Sequence, residues 1–72
     1  MREKSELEAL GQALKVRLQS DGQVDEVTQA RELRRSGFSE IESMFIIAKG
    51  FEVRLNVAKS AVLRADFLDG RS

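Results

Sequence analysis

A chain of 72 residues with 12 basic and 12 acidic side chains, no Cys and no His sets aside several classes of function at once. Without thiols or imidazoles it offers no disulfide, no thiolate or imidazole metal site and no imidazole acid–base catalysis. A net charge of zero supplies no field to draw the protein to a phosphate backbone or an anionic membrane. At this size one hydrophobic core barely outweighs the conformational entropy of folding, so function must reside in surfaces. The longest apolar run, Met44 to Ala48, is too short to span a bilayer, and the charged N-terminal segment lacks the apolar centre of a signal peptide. The reading is a cytoplasmic protein with no membrane contact.

In chain order, the first helix is predicted over residues 4–19. Ser5 and Glu8 have capping-box spacing, and Leu7, Leu10, Leu14 and Leu18 repeat every three or four residues along one face. Gly11 costs roughly 1 kcal/mol against Ala inside such a helix, and marks either simple tolerance or a close approach by another helix. Ser20, Asp21 and Gly22 form a break.

A second helix is predicted over 23–36, with Val24, Val27, Ala30 or Arg31, and Leu33 in sequence and Gly37 as its stop. Asp25 and Glu26 near its start and Arg31, Arg34 and Arg35 at its end complement the macrodipole. The third, over 40–49, opens on the Ser39 and Glu42 capping box, with Phe38 placed as a hydrophobic staple and Gly50 as a left-handed stop. Ile41, Met44, Phe45 and Ala48 make one face, while Ile46 and Ile47 fall outside it. This helix is therefore either central or in need of a second partner.

Phe51 to Leu55 alternates apolar and charged residues but has no matching strand, so it reads as a connection. The fourth helix is predicted over 54–65. Its start is poorly capped, because Arg54 sets a positive charge at the positive end of the dipole. The polar tail 69–72 reads as frayed. Four short helices joined by short connections predict one all-α domain over residues 1–72, a small bundle of antiparallel neighbours.

No constellation of catalytic, metal-binding or cofactor-binding residues is visible. The acid pairs Glu40 with Glu42 and Asp25 with Glu26 sit at helix starts, where the dipole accounts for them. The expectation is a protein that is not an enzyme and carries no cofactor. Residues 29–50 have the order of a helix-turn-helix, with Gly37 in the turn. A recognition helix must offer polar side chains to base edges, however, and this one offers Met44, Phe45, Ile46 and Ile47, with Ser43 where an inward apolar residue usually packs.

Between Ile41 and Val62 the sequence IESMFIIAKGFEVRLNVAKSAV resembles the paired helices of the C-terminal domain of the bacterial ribosomal stalk protein. The resemblance is carried by Ile41, Ile47, Leu55, the Ala58 and Lys59 pair, and Val62. It implies a helix pair lying on a small sheet and contacting a translation GTPase. This chain has Glu52 and Arg54 where that family has glycines, and two helices upstream in place of a strand.

The apolar surplus of the third and fourth helices points to a different reading. Leaving large apolar side chains in water forgoes roughly 1.5–3 kcal/mol each. Ile46, Ile47, Val57, Leu63, Phe67 and Leu68 therefore belong either to the core or to a surface that a partner covers. On the second alternative the protein is a small bacterial regulator that binds or sequesters another protein, or a copy of itself, through these six residues. Arg31, Arg34, Arg35 and Lys59 then supply rim charge.

Overall fold

The computed structural model describes residues 2–21 and 24–70. They form four helices, α1 (Lys4–Asp21), α2 (Glu26–Arg35), α3 (Glu40–Phe51) and α4 (Leu55–Leu68), and no strand. The all-α expectation holds. The boundaries shift where tertiary contacts outweigh local signals.

Helix α1 begins one residue before Ser5, with the Leu7 N–H donating to the Glu3 carbonyl at 3.1 Å. Ser5 thus lies inside the helix, and the predicted capping box with Glu8 does not form at the helix start. The leucine stripe does face the core: Leu7 and Leu14 are buried, and Leu10 and Leu18 pack against them. The expected break at Gly22 lies outside the described residues, but the helix start expected at Gln23 is corrected, because Val24 and Asp25 are described and are not helical. Helix α2 is described from Glu26, where Asp25 caps it by accepting the Thr28 N–H at 2.7 Å. That bond holds the Asp25 carboxyl below its usual pKa. After α2, Gly37 adopts φ +98°, a region nearly free of cost only to glycine.

Helix α3 opens on the expected reciprocal box. The Glu42 N–H donates to Ser39 Oγ at 3.1 Å, and the Ser39 N–H donates to Glu42 Oε1 at 2.8 Å. The C-terminal expectation is corrected: Gly50 is helical, α3 runs to Phe51, and the left-handed residue is Glu52 at φ 57° and ψ 45°. Gly50 is needed for a different reason. A Cβ there would lie 2.5 Å from Leu14 Cδ2 and 3.0 Å from Leu14 Cβ, so its missing side chain lets α1 close onto α3. Gly11 does the same from the other side, facing Lys49 Cβ at a distance of 2.5 Å from the Cβ it lacks. Of the two alternatives for Gly11, close approach is the one realised.

Residues 52–54 connect α3 to α4, whose N-cap residue Arg54 makes no side-chain cap bond, and α4 continues one turn past Ala65 to Leu68. The frayed-tail expectation fails at Asp69, whose N–H donates to the Ala65 carbonyl at 3.0 Å and whose carboxylate is held by arginines. Arg71 and Ser72 lie outside the described residues.

Helix α3 is the centre of the packing. It touches α1, α2 and α4, and α2 also lies along α4. The sequence neighbours α1 and α2 are not laid side by side. Arg17 Nη2 of α1 reaches across to Gln29 Oε1 of α2 at 2.8 Å, and both helices rest on α3. The core is Ile46, Ile47 and Val62, almost fully buried, with Leu7, Leu14, Ala30, Ala58 and Ala65 around them. The small side chains at 58, 61 and 65 allow α4 to lie close against its neighbours. Among the described residues, no helix is long and apolar enough to cross a membrane.

Candidate functional site

The six apolar residues proposed as a partner surface divide into two groups. Ile46 and Ile47, at 1% and 0% exposure, are core residues and are withdrawn from any docking surface. Adjacent helical positions point about 100° apart, and both can be buried because α3 is covered on three sides. Val57, Leu63, Phe67 and Leu68 are exposed on α4, Phe67 most of all at 76%. Four exposed large apolar residues were missed: Val16 on α1, Ile41 and Phe45 on α3, and Leu55 on α4. On α3 the buried face is Glu42, Ser43, Ile46, Ile47 and Gly50, so Ile41 and Phe45 turn outward. The missed signal is that Ser39 and Glu42 lock the start of the helix, which brings polar Glu42 and Ser43 inward.

The exposed apolar residues form an ordered arrangement. Leu55, Lys59, Leu63 and Phe67 are all exposed and follow one another at four-residue steps along α4, which makes them one ridge of the helix surface. At its Leu55 end this ridge meets a cleft of about 290 Å³. Besides Leu55, the cleft is lined by the apolar Leu7, Phe45 and Ala48 and by the charged Lys4, Glu8 and Lys49. Val57 and Leu68 lie on a flank of α4, set apart from the outermost point of the ridge by roughly 90°.

The arginines proposed as rim charge serve the fold instead. Arg31 Nη2 and Arg35 Nη2 approach Asp69 Oδ1 at 2.7 and 3.1 Å, and Arg34 Nε donates to Asp66 Oδ1 at 2.9 Å. Arg34 Nη1 also donates to the Phe38 carbonyl at 2.9 Å. These bonds tie the end of α2 to the end of α4, which corrects the rim assignment for Arg31, Arg34 and Arg35. Hydrogen bonding from Arg31 is the main reason the Asp69 carboxyl stays below its usual pKa. Lys59 is exposed on α4, with no ion pair among the described residues.

A second polar cluster ties the N-terminus to α3. Glu42, almost wholly buried, accepts the Arg2 backbone N–H at 2.8 Å, and the Arg2 guanidinium lies 4.2 Å from the centroid of the Phe38 ring. The Ser39 backbone N–H, followed by that of Arg2, brings the Glu42 carboxyl down to a pKa of about 2. This places a permanent anion in the wall of the fold, bonded on two sides and not poised for proton transfer.

The exposed ridge with its adjoining cleft is the arrangement best suited to contact with another molecule, and the chemistry it offers is apolar burial edged by amines. Comparison with protein-family models, with curated proteins and with solved structures finds no match to this chain.

Proposed function

We propose that this protein is a non-enzymatic binding module that holds a partner protein against the outer face of α4 and the adjoining cleft. The observation that carries this reading is the exposure of Phe67, Leu63 and Leu55 at 76%, 47% and 45% in one row, beside a core that is already filled by Ile46, Ile47 and Val62. Those three are not needed to complete the fold, and ordered apolar surface of this kind is characteristic of protein interfaces. A module without chemistry of its own acts by occupancy, which makes a regulator that sequesters or bridges its partner the function of best fit.

The helix-turn-helix alternative draws less support. The arginines it needs for phosphate contacts are engaged with Asp66 and Asp69, and the face of α3 turned outward carries Ile41 and Phe45, which offer nothing to base edges. The stalk-type reading asks for a sheet beneath the helix pair, and the described residues hold α1 and α2 there instead.

The test is partner capture from the source cell with the intact protein, alongside Leu63→Glu and Phe67→Glu variants whose helicity is verified by circular dichroism. A partner retained by the parent and lost by both folded variants is the expected result. Undiminished capture of that partner by both variants refutes the assignment of this face.

A further inference from the structure

The zero net charge conceals a segregation. Between Val53 and Ala65 the ionised side chains are Arg54, Lys59 and Arg64, with no acid among them. All three are exposed, and none makes an ion pair among the described residues. At the cleft end of the ridge, Lys4 and Lys49 are exposed and unpaired in the same sense, against the single acid Glu8. The acids that flank this segment in the chain are engaged elsewhere: Glu52 with Lys15, and Asp66 and Asp69 with arginines of α2. The face that exposes Leu55, Leu63 and Phe67 is therefore cationic.

From this juxtaposition we infer that the occupant of the face is an acidic amphipathic helix of another protein, with its apolar stripe on the ridge and its carboxylates beside Lys59 and Arg64. The inference rests on the protein-binding reading of the same face and names the partner's chemistry. Residues 55 to 67 span about 18 Å of helix, some three turns. A ridge at four-residue steps packs naturally into the corresponding groove of a second helix. A second copy of this chain does not fit. A two-fold contact through α4 is isologous, so it brings the unpaired cations of one copy toward the same cations of the other with no acid on the ridge to offset them.

The test uses the intact protein and three labelled synthetic peptides of about 18 residues, long enough to form helix, which share one leucine stripe and carry Glu, Gln or Lys on its flanks. Fluorescence anisotropy should show the Glu peptide binding about tenfold more tightly than the Gln peptide, with the Lys peptide weakest and the advantage shrinking as salt is added. A Lys59→Glu, Arg64→Glu double variant should reverse the order. Equal binding of the three peptides, binding of none, or a Glu preference that survives the double variant overturns the inference. So does binding to phosphatidylglycerol-containing vesicles in place of the Glu peptide. A parallel Phe67→Ala variant separates the two levels of the reading. Equal peptide binding that Phe67→Ala abolishes leaves the docking face standing without its acidic partner, whereas binding untouched by Phe67→Ala removes the face itself.

Discussion

Replacing Gly50 by Ala sets two effects of opposite sign against each other. Within a helix the change is favourable by up to about 1 kcal/mol, because Ala loses less backbone entropy on folding. Against this, the new Cβ would lie 2.5 Å from Leu14 Cδ2, 2.7 Å from Cγ and 3.0 Å from Cβ, where carbon atoms prefer about 3.5–4.0 Å. The δ-methyl could swing aside at modest cost, but Leu14 is 5% exposed within the core, and its Cβ moves only with the backbone of α1. The variant therefore pushes α1 off α3. Overpacking of this kind costs about 1–3 kcal/mol, so the balance is a net loss of about 1–2 kcal/mol, at roughly 4–8 °C of Tm per kcal/mol for a domain of this size. Thermal unfolding followed by circular dichroism measures it. The Leu14→Ala background isolates the cause, since removal of the obstructing atoms should turn Gly50→Ala from destabilising to neutral or favourable. A rise in Tm in the parent, or the same loss in both backgrounds, refutes the close-approach explanation.

Ile47→Ala should cost about 2–5 kcal/mol in urea unfolding, whereas Phe67→Ala should stay within about 0.5 kcal/mol of the parent; comparable losses would contradict the division between core and surface. Glu42 has a folded pKa of about 2 against an ordinary 4.5. The stability it contributes is therefore fully present above pH 4.5 and lost as the pH falls toward 2. Glu42→Gln should give a shallower fall of Tm with acid than the parent, and an unchanged slope would deny Glu42 a part in it. Asp25 and Asp69, also lowered, act in the same direction on the acid limb. Ser43 is fully buried and its Oγ has no hydrogen-bond partner among the described residues. Ser43→Ala should therefore raise stability by about 1 kcal/mol through relief of that hydroxyl and better helix propensity; a loss would point to a bond made in solution.

The features that the sequence by itself determined are those whose cause is local. Ser39 and Glu42 satisfy each other's backbone donors within one turn, Gly37 takes the positive φ that ends α2, and the leucines of α1 repeat at the helical period. None of these depends on which helix lies opposite, so the helix count, the all-α class and the approximate limits were legible. Arg54 as an uncapped start belongs with them. The apolar surplus of α4 was legible too, but the sequence left Val57, Leu63, Phe67 and Leu68 open between core and surface.

Tertiary structure alone decided what depends on distance between segments. A hydrophobic period identifies one stripe, but α3 is covered by α1, α2 and α4, so the wider arc containing both Ile46 and Ile47 is buried while Ile41 and Phe45 are not. Gly50 looked like a stop because glycines commonly end helices; only the approach of Leu14 from a different helix shows why a side chain is absent there. Arg31, Arg34 and Arg35 had a sufficient local explanation in the dipole of α2, which hid their partners Asp66 and Asp69, more than thirty residues away. Once those pairs form, a chain of zero net charge is left with a cationic apolar ridge along α4, because charge neutrality is a sum over the whole chain whereas recognition depends on which charges remain unpaired on one face.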